Sequence, residues 1–203
     1  MKIKRFRYFY GFIDIQQRFI NRMGEQGWRL IRTGRFFYEF TSCPRGRYQY
    51  CVDFIADKSC QEAEEYTKFL EEMGYRVMTK PINTNFSFGK IRIRPWGKGW
   101  GQVATTPGRF GKELLIVEKE NDGRPFALHT TLEDQVDYYQ IFRSAWAFIS
   151  VFCAGSAVYS FVSQEALWKS IGLGVIALVH IWSAVKSHRI IKRLESERKI
   201  KES

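Results

Sequence analysis

Two uncharged apolar runs near the C-terminus constrain this chain most. Residues 144–162 read SAWAFISVFCAGSAVYSFV, and residues 170–185 read SIGLGVIALVHIWSAV. A helix needs about 20 apolar residues to cross the hydrocarbon core of a bilayer, and the apolar residues 166–168 with a snorkelling Lys169 lengthen the second run. Soluble helices normally keep a polar stripe, which these runs lack. We therefore favour two membrane spans over the alternative, a buried helical hairpin of a soluble core.

Charged residues at the ends of the runs predict their orientation. Arg143 precedes the first run and four basic residues follow the second, whereas Glu165 and Lys169 balance in the turn between them. The cytoplasmic flanks of membrane spans carry the excess of Lys and Arg, so we expect a multi-pass inner-membrane protein with both termini in the cytoplasm. The alternating, charged N-terminus predicts no cleaved signal peptide. The four basic residues are Lys186, Arg189, Lys192 and Arg193.

The runs divide the chain into three predicted parts. These are a cytosolic domain over residues 1–140, two transmembrane helices over 141–187 and a basic cytosolic tail over 188–203. The chain holds 32 Lys and Arg against 21 Asp and Glu. In an anchored protein this excess fits the anionic inner leaflet better than nucleic acid. The lipid bilayer is therefore the first expected partner.

Residues 3–41 and 47–94 show the same order of predicted elements: strand, helix, strand, strand. Alternating aromatic residues predict the strands, and apolar residues at helical spacing predict one helix in each stretch. Capping-box spacing marks the helix starts at Asp14 and at Ser59 with Glu62. Because one helix cannot cover a sheet alone, we expect an α+β fold: a tandem β-α-β-β repeat forming one ferredoxin-like antiparallel sheet with both helices on one face.

The last predicted strand, Phe86 to Arg94, leads into a Gly-, Trp- and Arg-rich segment at residues 89–111. Its glycine spacing fits no nucleotide-phosphate loop. Indole and basic side chains together are typical of membrane interfaces, so one hypothesis is a finger lying on lipid headgroups. The alternatives are a plain connecting loop, which we favour, and a stacking platform for single-stranded nucleic acid. The candidate membrane contacts are Arg92, Arg94, Trp96, Lys98 and Trp100.

A polar pocket is the second candidate site. Arg47, Gln49 and Asp53 share one face of a predicted strand, although a structural ion pair is the simpler explanation. The sequence contains no nucleophile motif and no cysteine pair with metal-ligand spacing, so we expect no enzyme, no metal and no cofactor.

His180 lies within the second apolar run. An ionisable group at this depth is expected to face a partner helix. We favour a neutral imidazole hydrogen-bonded inside the hairpin over a pH-sensing group or a contact with Ser156 or Tyr159.

Short aromatic and glycine patterns extend over about residues 3–140. They read Met23-x3-Gly27-Trp28-x-Leu30, Tyr38-x-Phe40, Tyr48-x-Tyr50-x2-Asp53-Phe54 and Tyr66-x2-Phe69-x4-Gly74-Tyr75-x-Val77. Together they resemble the bacterial family called domain of unknown function 2812. In that family, hydrophobic helices often follow the domain. The resemblance implies a membrane-linked accessory or sensory protein and supplies no catalytic residues.

These observations lead to two functional hypotheses. The first is a membrane-anchored cytosolic binding or regulatory module, which presents an aromatic and basic sheet surface to a protein or small ligand near the membrane. A protein partner or a second copy of the chain is expected. The second is a subunit of a membrane transport or efflux assembly, in which the spans themselves carry the function.

Overall fold

The computed structural model of the chain describes residues 1–55, 58–81, 86–88, 91–93, 103–104, 113–126, 128, 132–164 and 167–202. They belong to two compact units, Met1–Thr130 and Thr131–Ser203, called here the sheet domain and the helix pair. The elements are β1 Lys2–Phe6, α1 Ile13–Glu25, β2 Trp28–Thr33, β3 Phe37–Ser42, β4 Tyr48–Phe54, α2 Cys60–Glu72, β5 Arg76–Lys80, β6 Phe86–Phe88, β7 Ile91–Ile93, β8 Val103–Ala104, β9 Leu114–Glu120, α3 Leu132–Val162 and α4 Leu167–Glu202.

The first sheet has the strand order β1-β3-β2, with β3 antiparallel to both neighbours. Alternation along the strands turns Leu30, Tyr38 and Phe40 to one side, where all three are fully buried. Phe19 of α1 packs against the rings of Tyr38 and Phe40, with centroids 5.7 and 6.1 Å apart. The first helix therefore covers one face of this sheet.

Helix α1 begins differently from the sequence expectation. Its N-cap is Phe12, which makes no side-chain cap bond, so the predicted cap Asp14 lies in the first turn, where it pairs with Arg18. The chain leaves the helix through Gly27, whose φ is +89°. A Cβ there would lie 3.0 Å from the carbonyl oxygen of Cys43, so glycine is required at this turn.

The second sheet has the order β4-β9-β5 and is also antiparallel. Helix α2 starts with the predicted capping box, since Ser59 accepts from the Glu62 N–H and the Glu62 carboxylate accepts from the Ser59 N–H. Its apolar side contributes to a core of side chains that are at most 2 % exposed. Those side chains are Ile55, Ala63, Leu70, Leu115 and Val117.

The mixed α+β character is confirmed, but the single predicted sheet is wrong, because the described strands of the sheet domain form separate three-stranded sheets. The predicted strand from Phe86 to Arg94 does not close the second sheet. Instead β6 and β7 pair with each other, and β8 joins them in a third sheet. The central place of the second sheet is taken by β9, Leu114–Glu120.

Polar side chains of α1 cover the free edge of β4. Asn21 donates to the carbonyl of Tyr50 and accepts from its N–H, both at 2.8 Å, and Gln17 accepts from the N–H of Val52 at 3.0 Å. An uncovered edge strand invites pairing with other chains. Helix α1 therefore protects the second sheet as well as the first.

Side chains also connect the facing edges of β2 and β5. The Arg76 guanidinium donates to the carbonyls of Leu30 at 2.9 Å and Ile31 at 3.0 Å. The hydroxyl of Thr33 donates to the carbonyl of Thr79 at 3.2 Å. The two principal sheets are thus held together within one unit.

The two helices of the helix pair are long and apolar enough to cross a membrane. In the most apolar window of each, only 17 % of the residues are buried, so neither resembles the core helix of a soluble protein. Apart from Trp146, the residues of the apolar runs that are buried along the seam between the helices are small or polar. In the apolar runs they include Ser150, Ser160, Ala177 and Ser183, whereas Phe148, Val151, Phe152, Leu178 and Trp182 are exposed.

Candidate functional site

Exposed aromatic side chains cluster at one end of the first sheet. Phe6 is 58 % exposed, and Tyr8 and Phe37 are each 43 % exposed. The ring centroids of Phe6 lie 5.4 Å from Phe37 and 5.8 Å from Phe36, and Tyr8 lies 5.8 Å from Phe36. Large aromatic side chains that remain in contact with solvent as a group are typical of interaction surfaces.

Basic side chains lie among these rings. Lys4 Nζ is 4.5 Å from the centroid of Phe37, and the Arg35 guanidinium carbon is 5.6 Å from that of Phe36. Both are within the range of cation–π attraction. Lys4 is also 3.8 Å from Glu39. We call the set Lys4, Phe6, Tyr8, Arg35, Phe36 and Phe37 the aromatic–basic surface.

Strand pairing positions the two halves of this surface. In the β1–β3 register, Phe6 lies opposite Phe37 and Lys4 opposite Glu39, so their side chains share a face. Pairing continues past the strand, because the Arg7 N–H donates to the carbonyl of Phe36 at 2.8 Å. Side chains that are distant in sequence are therefore held on rigid backbone.

Tyr8 contributes a neutral hydroxyl to the aromatic–basic surface. Burial, with a contribution from neighbouring Tyr10, raises the pKa of Tyr8, so its phenol stays protonated near neutral pH. The surface combines flat apolar rings, a neutral hydroxyl and permanent cations. Such a mixture suits an anionic or aromatic partner.

A buried carboxylate organises the interior of the sheet domain. The side chain of Glu118 is only 2 % exposed and lies in the strand register opposite both Tyr50 and Arg76. Its Oε1 accepts from Arg29 Nη2 at 2.6 Å and from Nε at 3.0 Å, while Oε2 accepts from the Tyr50 hydroxyl at 2.9 Å. Arg76 Nη1 lies 3.6 Å from Oε2.

Two members of the cluster formed by Arg29, Tyr50, Arg76 and Glu118 have shifted pKa values. The hydrogen bond with Glu118 raises the pKa of Arg29. Burial and the nearby Glu118 charge raise the pKa of Tyr50, whose hydroxyl also accepts from the Leu30 N–H at 2.9 Å. Every group serves to hold β2, β4, β5 and β9 together, so we assign the cluster a structural role.

Lys80 is a second buried charge, and it is 2 % exposed. Its Nζ donates to the carbonyl of Arg35 at 3.0 Å and lies 5.1 Å from the ring centroid of Tyr38. Burial lowers the pKa of Lys80 to about 8, although the charge of Glu113 opposes the shift. Lys80 therefore supports the loop that carries Arg35 on the aromatic–basic surface.

The predicted pocket residues lie in β4 or, for Arg47, directly before it. Arg47 Nη2 pairs with Glu120 at 3.1 Å, and the Gln49 amide donates to Asn121. Asp53 lies four residues further along the strand, is buried, and accepts from the hydroxyl of Tyr66 at 3.0 Å. Arg47 and Gln49 thus contact the end of β9 and the turn after it, whereas Asp53 contacts α2.

The predicted membrane-contact residues fall mostly outside the described part of the chain. Arg92 lies in β7, where it pairs in register with Ser87 and Ala104. Arg94, Trp96, Lys98 and Trp100 lie outside the described residues. The membrane finger therefore stays a prediction.

His180 lies on the α3-facing side of α4. Its ring centroid is 5.0 Å from that of Trp146, and its Nδ1 is 2.7 Å from the carbonyl oxygen of Ile176 in its own helix. Trp146 in turn lies 6.0 Å from Phe142, and Phe142 lies 4.6 Å from Tyr138. His180 of α4 therefore packs against the last ring of a row of aromatic side chains on α3.

Part of the aromatic–basic surface could be found in the sequence and part could not. Alternation at residues 3–9 places Lys4, Phe6 and Tyr8 on one face of the first strand. The contribution of Arg35 and Phe37 depends on the β1–β3 register, for which the sequence gives no local signal. The sequence gives no local signal for the buried charges of Glu118 and Lys80, because charged residues are ordinary at the ends of short apolar segments.

Comparison with known proteins identifies one family. The family described as "Protein of unknown function (DUF2812)" matches residues 13–151, from the start of α1 into α3. The match covers the second sheet, the first sheet without β1, and the first part of the first apolar run. No curated protein and no solved structure matches the chain.

Proposed function

This chain belongs to the DUF2812 family, and we propose that it is a membrane-anchored binding or regulatory module without catalytic activity. In this proposal the helix pair holds the protein in the bacterial inner membrane. The sheet domain then presents the aromatic–basic surface to a protein or small ligand in the cytoplasm. The equivalent strand orders of the two principal sheets, β1-β3-β2 and β4-β9-β5, support a tandem repeat in the sheet domain.

The observation that carries the proposal is the inverted polarity of the helix pair. Serine side chains at 150, 160 and 183 are buried in the seam, while Phe152, Leu178 and other large apolar residues face outward. Exposing such a surface to water costs about 25 cal/mol of free energy per Å² of apolar area. Lipid is the solvent that suits it.

The charges at the helix ends support the proposed orientation. Arg143 before the first run and the basic residues after the second lie on the side of the termini, while the stretch between the runs holds Lys169 alongside Glu165. The side with more Lys and Arg remains in the cytoplasm. We therefore assign the sheet domain and both termini to the cytoplasm.

Cell fractionation tests the anchoring. The full-length chain should stay with the membrane pellet in alkaline carbonate and enter solution only with detergent. A protease added to inverted inner-membrane vesicles should digest the sheet domain, and protease added to spheroplasts should leave it intact. Recovery of the intact chain in the detergent-free supernatant would contradict the proposal.

Site-specific photo-crosslinking tests the binding surface. A photoreactive residue at Tyr8 or Phe37 should capture the same partner in intact cells. The matched control is Glu64, which is exposed on α2 and lies outside the aromatic–basic surface. Equal capture from Glu64, or different products from Tyr8 and Phe37, would contradict a defined surface.

A further inference from the structure

Basic side chains gather where the two apolar runs end on the side of the termini. Arg143 directly precedes the first run, and Lys186, His188, Arg189 and Lys192 follow the second. Across the seam between the helices, Arg143 Nη1 lies 3.3 Å from Nδ1 of His188. Two helices therefore contribute to a single basic cluster.

The contact between Arg143 and His188 fixes the hydrogen-bonding roles. A guanidinium can only donate, so Nδ1 of His188 must accept and the imidazole proton lies on Nε2. That Nε2–H then points to the side of the ring opposite Arg143. Lys192 follows His188 by one helical turn and lies on the same helix face. A ligand at this position meets three kinds of N–H donor.

Acidic residues are sparse around this positive charge in the sequence, and the first one after Lys192 is Glu195. Within the described parts of α3 and α4, no Asp or Glu lies between Asp137 and Glu195. Arg193 provides the contrast, because its Nε pairs with Glu197 at 2.9 Å. A positive cluster with few acidic neighbours attracts anions.

Aromatic contacts indicate the depth of the cluster. Trp182 is exposed, and Nζ of Lys186 lies 5.1 Å from its ring centroid. Indole rings concentrate where the hydrocarbon core meets the headgroups. Because Arg143 and His188 lie just beyond the apolar runs, they stand at the level of lipid phosphates.

We propose that Arg143, His188 and Lys192 bind the phosphate of an anionic phospholipid in the cytoplasmic leaflet. This inference rests on the proposed membrane anchoring. Arginine provides directional hydrogen bonds to phosphate oxygens, and His188 and Lys192 add donors from the other helix. The bound lipid would bridge α3 and α4 at the base of the hairpin.

Native mass spectrometry of the full-length protein in detergent tests this site. Phosphatidylglycerol and phosphatidylcholine with identical acyl chains are titrated separately, and inorganic phosphate is titrated as a third probe. We expect phosphatidylglycerol to bind at least about tenfold more tightly than phosphatidylcholine, and phosphate alone to compete weakly. Equal binding of the two lipids, or full competition by free phosphate, would overturn the lipid assignment.

Three variants locate the binding. Arg143→Gln should weaken phosphatidylglycerol binding about tenfold because it removes the guanidinium charge, and His188→Phe should do so because it removes the Nε2–H donor. Arg193→Gln removes the same charge at a paired position and should change binding less than twofold. If Arg143→Gln does not fold, Lys192→Gln provides the test. An equal loss in Arg193→Gln would show that general charge, and not this site, binds the lipid.

The result is separable from the proposed anchoring. A chain that needs detergent for extraction but shows no lipid preference refutes this site alone. A chain that is soluble without detergent refutes the anchoring, and the site with it.

Discussion

The sheet domain and the helix pair both bury polar groups, but of different kinds. In the sheet domain the buried groups include the charges of Glu118 and Lys80, which find partners on other strands or loops. In the helix pair they are hydroxyls such as those of Ser183 and Ser187, which donate to carbonyls of their own helix at 3.0 and 2.9 Å. These buried polar groups are therefore satisfied by tertiary contacts in the sheet domain and by contacts within a single helix in the helix pair.

The exposed surfaces of the two units also differ. Charged side chains dominate the exposed face of α2, whereas large apolar side chains dominate the outside of the apolar runs in α3 and α4. A unit that folds in water must hide apolar surface, while a unit in lipid must hide polar surface. Under the proposed anchoring, one chain is adapted to two solvents, and four measurements test that contrast.

The largest effect is expected for Glu118→Gln in the sheet domain. The substitution leaves Arg29 and Arg76 without their shared carboxylate charge, which should lower the free energy of unfolding by about 3 kcal/mol. Urea unfolding of the full-length protein in detergent, followed by protease sensitivity of the sheet domain, measures the change. The matched control is Glu120→Gln, because the Glu120 pair with Arg47 is exposed and should contribute nothing measurable. Equal losses in the two variants would contradict the buried role of Glu118.

The contrast between solvents is tested most directly by Leu178→Asp. Leu178 is 65 % exposed, so in water a polar replacement would change the free energy of unfolding by less than about 0.5 kcal/mol. In lipid the aspartate should cost about 3 kcal/mol of insertion free energy and lower the fraction of chains in the membrane. A glycosylation-based insertion assay of the hairpin measures this.

The control for that substitution lies in the sheet domain. Phe69→Asp replaces a side chain that is 53 % exposed on α2, and it should leave membrane insertion unchanged. If Leu178→Asp inserts as well as the parent sequence, the outward apolar face does not contact lipid. The proposed anchoring would then lose its main support.

The buried charge of Lys80 should make the stability of the sheet domain depend on pH. Burial holds its folded pKa at about 8, below the ordinary value of about 10.4 for an unfolded chain. Below pH 8 both states bind the proton. Between about pH 8 and 10 the folded state binds fewer protons than the unfolded state, so the free energy of unfolding rises with pH.

Lys80→Met should remove that rise. The difference between the parent and variant free energies of unfolding should change by up to about 3 kcal/mol from pH 7.5 to 10. Urea titrations at each pH provide the measurement. The control for general charge effects is Lys58→Met, because Lys58 belongs to the sheet domain but to neither of its two principal sheets. Parallel curves for parent and Lys80→Met would show that Lys80 stays protonated despite its burial.

Local signals in the sequence predicted most of the elements. Alternation found β1 to β5, the Ser59–Glu62 spacing found the start of α2, and the apolar runs found α3 and α4. These features depend on residues within a few positions of each other. They are therefore visible without knowledge of the fold.

Long-range pairing is where the sequence reasoning failed. The segment Leu114-Leu115-Ile116-Val117 is a continuous apolar run with no polar face, and nothing local indicates that it lies between β4 and β5. The predicted strand that begins at Phe86 is nearer in sequence and is the partner that the repeat pattern favours. The same limitation hid Glu118, whose burial follows only once β9 occupies the centre of its sheet.

Only half of the aromatic–basic surface could be predicted from the sequence. Its β1 half follows from alternation, since Phe6 and Tyr8 are expected on one face. Its other half follows from the pairing of Phe6 with Phe37, which brings Arg35 and Phe36 close. A sequence alone can thus nominate an aromatic strand, while the second strand that completes a binding surface needs the register.

The smallest effect is expected at the start of α2, where Ser59→Ala removes a cap. The Ser59 hydroxyl accepts from the Glu62 N–H at 3.2 Å, and its loss leaves a helix N–H without that partner, at a cost of about 1 kcal/mol. Urea unfolding measures the change, and Gln61→Ala, an exposed substitution in the same turn, is the control. A water-exposed helix depends on such a cap because its first N–H groups have no partner within the helix. If Ser59→Ala and Gln61→Ala are equally stable, packing of α2 against its core outweighs the cap, and the water-facing unit relies less on local polar contacts than its structure indicates.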